Sequence, residues 1–405
     1  MTASLASLFS SVATKQLAAV DLPKVASHQH ELNGSRRLRQ FFGEETTKGA
    51  LRWHYFSDDE EPSREIGTFT FYDSRLKSFE RTGRTEWRMY YPGEFLSRAA
   101  VGDVLILARS HSGDVYGLVF QAGSSWLRAA KTLFDIEGDQ KSFRISPSED
   151  LSRHTIEFVS ARILEELDLD IELPATTDFD GVAAIELDAA LKAGRLFPAA
   201  ARLSAVARSL VLVDESKADA TLQQWLEAEE LIFRAAERRL VDEKLRAGFR
   251  DVDDFIAYSL SVHNRRKSRM GLALQNHLSQ LFAANGVRYT AQMYTENRKK
   301  PDFVFPGADA YRDKAFDASR LTMLAVKSSC KERWTQVLTE AARIPVKHLC
   351  TLEPAISEAQ TDEMARQQVV LVMPAALHET FSPRQKRALI TLADFIEMVR
   401  ARQDN

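Results

Sequence analysis

Asp302 in KKPDFVF, Lys327 in MLAVKSS and Glu340 in QVLTE have the types and spacing that metal-assisted phosphodiester hydrolysis needs. Two carboxylates offer hard oxygen ligands to magnesium, which keeps several of its waters, activates one of them and neutralises charge on a phosphate under attack. A lysine ammonium beside them can position the attacking water and stabilise the charge that develops on the phosphate oxygens. Each residue alone has a plainer explanation, since an Asp after Pro often closes a turn and a strand-end lysine is often solvated. The order of elements is what joins them. DFVFP and LTMLAVKSS read as strands and RWTQVLTEAARI as a helix. If the two strands are neighbours, Asp302 and Lys327 emerge at one sheet edge, and the helix returns Glu340 from about two turns in.

Lys331, Glu332 and Arg333 follow the lysine directly. Arg and Lys match the O6 and N7 acceptors of guanine and a carboxylate accepts from the N4 amine of cytosine, so the triplet suits adjacent G·C pairs. A solvated helix start is the other explanation. Upstream, HNRRKSR supplies Arg265, Arg266, Lys267 and Arg269, and NRKK supplies Arg298, Lys299 and Lys300. Both clusters suit contacts to a phosphate backbone, which add affinity and salt dependence more than specificity. In the first half, FYDSRLKSFERTGRTEWRMY carries Arg75, Lys77, Arg81, Arg84, Glu86 and Arg88 among expected strands, where such residues can enter a groove.

A chain of 405 residues exceeds what one core usually fills, so two domains are expected. LRWHYF, IGTFTFYD, TEWRMYYP, DVLILARS and DVYGLVFQ are short strands separated by turn residues, which predicts a barrel or sandwich. The polar stretch around PATTDFDG reads as a linker, and IELDAALKAGRLFPAAARLSAVARSLVL and ATLQQWLEAEELIFRAAERRLVDEKL as helices. Beyond them GLALQNHLSQLFAANG, VRYTAQMYT, HLCTLE and QQVVLVMP alternate helix and strand, which predicts an α/β sheet with flanking helices. The resulting expectation is a mainly-β DNA-binding domain over 1–165, a linker over 166–181 and a catalytic domain over 182–405.

A formal net charge of -3 argues against a protein that coats nucleic acid without selectivity, though not against one with a basic cleft. Only Cys330 and Cys350 are cysteines, in no metal-ligand pattern, and no stretch approaches the roughly 18 apolar residues of a membrane span. The start lacks a basic region ahead of its apolar residues. A cytoplasmic chain with no membrane association is expected.

Taken together, SVHNRRKSRMG, NRKKPDFVFPGADAY and MLAVKSSCKERW resemble the PD-(D/E)XK nucleases, specifically the EcoRII-type restriction endonucleases, over most of 261–334. The resemblance implies an α/β nuclease domain, a mixed sheet flanked by helices, preceded by a DNA-binding pseudobarrel similar to that of plant B3-type transcription factors. It implies that Asp302 and Glu340 bind Mg²⁺, that Lys327 serves the attacking water, and that Ala325 stands where an acid usually sits. It also implies that Lys331, Glu332 and Arg333 read bases. Gln275 and Tyr311 fall at positions near the active site, Gln275 where relatives carry a glutamate. The implied activity is type II cleavage of double-stranded DNA at a CC-x-GG site such as CCWGG, by a homodimer, with the N-terminal domain acting as effector or autoinhibitor. An amide in place of that glutamate leaves a second expectation, a catalytically weak or silent sequence-specific DNA-binding protein that keeps the fold.

Overall fold

The computed structural model describes residues 5–23, 30–34, 36–76, 83–136, 138, 141–147, 159–160, 163–164, 177–328 and 330–404. The chain divides into two compact units near residue 172. Of the expected linker, residues 166–176 lie outside the described residues, and residues 177–181 open the helix Thr177–Lys192.

Among the described residues the N-terminal unit has eight strands, β1 (Phe9–Gln16), β2 (Glu31–Gly34), β3 (Thr47–Phe56), β4 (Ser63–Asp73), β5 (Trp87–Tyr90), β6 (Val104–Ser110), β7 (Val115–Phe120) and β8 (Arg144–Pro147). Their order is β2-β5-β4-β3-β7-β6-β1-β8, and all neighbours are antiparallel except β3 and β7. Alternation places Trp53, Phe69, Phe71, Met89, Leu105 and Leu107 on one buried face. Gly117 is required there, because a Cβ on it would lie 2.3 Å from the Trp53 ring. The strand β1 was not expected from sequence. Its polar residues are accommodated because Lys15, buried, donates to Asp21 Oδ1 at 2.5 Å.

The C-terminal unit opens with helices α1 (Thr177–Lys192), α2 (Ala200–Leu210), α3 (Ala218–Ala247) and α4 (Val252–Ala284). The break between α1 and α2 falls at Pro198, which lacks the N–H a continuous helix needs. A five-stranded sheet follows, β9 (Thr290–Ala291), β10 (Phe303–Phe305), β11 (Thr322–Lys327), β12 (Lys347–Thr351) and β13 (Val369–Val372), in the order β13-β12-β11-β10-β9. The pairs β9/β10 and β10/β11 are antiparallel, and β11, β12 and β13 run parallel. The parallel strands β11 and β13 are largely apolar, as burial on both faces demands, whereas β12 buries Lys347 and His348 at its start. The segment expected as the helix RWTQVLTEAARI is instead a 3-10 run, Lys331–Thr339, followed by a turn. Glu340 lies just past that run in extended conformation, not two turns into a helix. Among the described residues no helix is long and apolar enough to cross a membrane.

His348 on β12 is buried with its ring centroid 5.2 Å from that of Phe395. Burial, and then Arg402, push its pKa down to about 4. The folded state therefore refuses a proton that the unfolded chain accepts below its ordinary pKa near 6.5. Stability from this residue is complete above pH 6.5 and is lost as pH falls toward 4, at up to about 1.4 kcal/mol per pH unit. Denaturant midpoints measured across that window should fall less steeply for His348→Phe than for the parent. Equal slopes would remove His348 from the account.

Candidate active site

Antiparallel pairing sets Phe303 opposite Leu324, so Asp302, one residue before β10, lies beside the end of β11 where Lys327 sits. The Val326 N–H donates to Asp302 Oδ2 at 2.7 Å, and Lys327 Nζ stands 3.9 Å from the same oxygen. Two amides occupy Asp302 Oδ1: Gln275 Nε2 of α4 at 2.8 Å and Gln292 Nε2 at 2.6 Å. An oxygen with two acceptor sites is filled by two donors, so Oδ1 is committed to holding the carboxylate still, and Oδ2 keeps a free acceptor site. Gln275 thus touches Asp302 directly. Gln292 had no sequence signal, because it lies beyond the end of the short strand β9 and bends back with φ 54°.

Asp302 and Glu340 are both buried, and burial raises the pKa of both. For Asp302 the Val326 N–H, Lys327 and Gln292 oppose that rise. For Glu340 the ammonium of Lys327 opposes it and the charge of Asp302 adds to it. Glu340 Oε2 is buried with no hydrogen-bond partner. Two desolvated carboxylates that repel each other, one with an orphaned oxygen, fit a divalent cation, which would relieve both penalties at once. Among the described residues no group of three or more His, Cys, Asp or Glu could hold a metal. A pair suits magnesium, which leaves its remaining positions to water and phosphate. Ala325, at the place of the usual acid, is fully buried in β11.

Tyr311 is buried. Its hydroxyl donates to Glu296 Oε2 at 2.6 Å, and Glu296 also accepts from the Ala342 N–H at 3.2 Å. These bonds brace the turn that follows Glu340. Arg333 is exposed on the 3-10 run, whose start is fixed where the Cys330 N–H donates to the buried carboxylate of Glu353. The side chains of Lys331 and Glu332 lie outside the described residues.

The basic cluster on α4 differs from expectation. Arg269 is buried, ion-paired with Glu230 and placed 4.4 Å from the Phe233 ring centroid. Arg266 donates to Glu237 Oε2 at 2.6 Å, and Arg265 lies 4.7 Å from the Phe197 ring centroid. Arg266 and Arg269 therefore join α4 to carboxylates of α3, and their charge is spent inside the unit instead of on phosphate. The reason is the i, i+7 spacing of Glu230 and Glu237, a row on α3 that faces α4 and was read only as part of an amphipathic helix. The Lys267 side chain lies outside the described residues. By contrast Arg298, Lys299 and Lys300 are exposed, and Lys299 is close enough to influence Glu340.

In the N-terminal unit, Arg88 donates to Glu31 Oε2 at 2.5 Å and Glu86 Oε1 at 2.7 Å, while Arg75 donates to Glu86 Oε2 at 2.5 Å. Both arginines are thus ion-paired with Glu86, and Arg88 also with Glu31 of β2. Arg81 and Lys77 lie outside the described residues.

Residues 233–396 match the family described as EcoRII C terminal. The chain is 43% identical over 201 residues to the type II restriction enzyme EcoRII of Escherichia coli, a match covering 49% of this chain and 50% of that one. The chain thus spans about half the length of the curated relative it matches. Among solved structures it is similar to metal-depleted Ecl18kI in complex with uncleaved, modified DNA, with 18% identity and a TM-score of 0.40 over 55% of this chain and 83% of that one. It is also similar to a PspGI restriction endonuclease–substrate DNA complex, with 17% identity and a TM-score of 0.38 over 57% and 93%. Residues 233–396, the stretch similar to the EcoRII C-terminal family, hold Asp302, Lys327 and Glu340.

Proposed function

We propose that this chain is a type II restriction endonuclease that hydrolyses phosphodiester bonds of double-stranded DNA with Mg²⁺ as cofactor. The observation that carries the reading is the pairing of buried Asp302 and Glu340 beside Lys327, with a carboxylate oxygen left orphaned, inside the stretch similar to the EcoRII C-terminal family. Asp302 Oδ2 and Glu340 would hold the metal, which supplies charge neutralisation and a more acidic water. Gln275, Gln292 and the Val326 N–H keep Asp302 in one orientation through the reaction. The Lys327 ammonium orients the attacking water and stabilises negative charge on the phosphate oxygens as the bond to the leaving oxygen breaks. Arg298, Lys299 and Lys300 hold the DNA backbone near the site, and Arg333 reads a guanine.

The target we assign is a short CC-x-GG site, CCWGG by resemblance, cut by a two-fold homodimer as a palindrome demands. The mainly-β unit over 1–165 is assigned effector or autoinhibitory DNA binding, the unit from 182 onward catalysis, and the compartment is the cytoplasm. The expectation of a silent DNA-binding protein rested on Gln275. That amide supports Asp302 and both carboxylates remain, which favours catalysis. Digestion of two plasmids that differ only in CCWGG sites tests the assignment. Discrete fragments from the plasmid that carries the sites are expected. Equal cutting of both, or specific binding without cutting, would contradict it.

A further inference from the structure

Glu340 lies where a metal ligand has little backbone support. It follows the last residue of the 3-10 run in extended conformation, with no strand partner, and the next residue, Ala341, turns through a left-handed φ of 45°. A ligand on a strand is fixed by its ladder; one at the head of a turn must be fixed by something else.

Lys347 supplies it. The residue opens β12, is buried, and directs its ammonium back onto the turn, donating to the carbonyls of Glu340 at 2.5 Å, Ala341 at 2.8 Å and Ile344 at 2.6 Å. An ammonium has three donors, and all three are engaged, so Lys347 has none left for substrate. Burying that charge is costly even though the carboxylates of Glu340 and Glu296 favour it, and an apolar residue would be the ordinary choice at the start of a buried strand. We propose that Lys347 is a positioning residue, holding the 340–344 turn so that the Glu340 carboxylate is set toward the metal. The Glu296 carboxylate braces the same turn from the other side, accepting from the Tyr311 hydroxyl and the Ala342 N–H. Ala325 on β11 offers no ligand of its own, so the placement of Glu340 depends on this turn.

This inference rests on the reading of Glu340 as a metal ligand, and its test separates the two. Mn²⁺ binding, followed by electron paramagnetic resonance of the free ion, is measured on full-length protein with a CCWGG duplex in a Lys327→Ala background that leaves the DNA intact. Lys347→Met, which keeps the apolar stem and removes the ammonium, should weaken Mn²⁺ binding about tenfold or more. Glu340→Gln should weaken it at least as much. If Glu340→Gln leaves Mn²⁺ affinity unchanged, the ligand assignment fails and the inference with it. If Glu340→Gln weakens binding while Lys347→Met lowers only the melting temperature, Lys347 is merely structural and the inference alone fails. Should Lys347→Met not fold, Tyr311→Phe removes one bond of the brace and should weaken Mn²⁺ about threefold. No shift there would overturn the inference.

Discussion

Asp302→Ala and Lys327→Ala should each slow cleavage of a CCWGG duplex by about 10³-fold or more while leaving duplex affinity within a few-fold of the parent. The reasoning is local. Asp302 Oδ2 is the carboxylate oxygen with a free acceptor site, and Lys327 is the cation beside it. Neither side chain lies on the 3-10 run that carries Arg333, so losing either should affect the reaction and spare recognition. Asp302→Ala also strips the buried Val326 N–H of its acceptor, a cost of about 1–3 kcal/mol, so melting temperature must be measured beside the rate. Asp302→Asn, which keeps an acceptor there, controls for that loss. Single-turnover rates and filter binding on the same preparations check the prediction. Cleavage at the parental rate by a folded variant would sink the assignment of that residue.

Arg333→Ala should cost about 1–3 kcal/mol of binding at the cognate site and little on a scrambled duplex, because a bidentate guanine contact is lost only where the guanine is present. The residue is exposed on a run whose first turn is tied down at Cys330 by Glu353, so the backbone that carries it is anchored. Lys299→Ala should behave differently, weakening both duplexes alike and lowering the salt slope by about one unit. Isotherms at several salt concentrations on the two duplexes separate these outcomes. Equal losses on both duplexes for Arg333→Ala would return Lys331, Glu332 and Arg333 to a solvated helix start.

Much of the candidate site could be proposed from sequence because Asp302 and Lys327 stand at strand ends. Asp302 precedes a run of apolar residues and Lys327 ends one, so local pattern located both, and antiparallel pairing of β10 with β11 brought them together. Glu340 was found by type, but its setting was misjudged. The run after Cys330 has helical spacing, yet it forms 3-10 turns and stops at Thr339. Gln292 and Lys347 were invisible, since each acts through a bond closed only by the fold, the first to a carboxylate ten residues on and the second to three carbonyls. Arg266 and Arg269 show the opposite error. Their charge suggested phosphate, and only the packing of α4 on α3 reveals the carboxylates that neutralise them. In the N-terminal unit the expected strands are present, whereas β1 was hidden because a buried Lys15–Asp21 pair allows polar residues inside a sheet.

We propose that Asp302, Lys327 and Glu340 form a metal-dependent phosphodiesterase site. It is tested most directly by titrating Mg²⁺ into metal-free protein bound to a duplex containing CCWGG and measuring the single-turnover rate of strand cleavage. The account predicts no cleavage without a divalent ion and a rate that rises to saturation with Mg²⁺. Full cleavage in the presence of a chelator, or site-specific binding with no cleavage at any Mg²⁺ concentration, would contradict it.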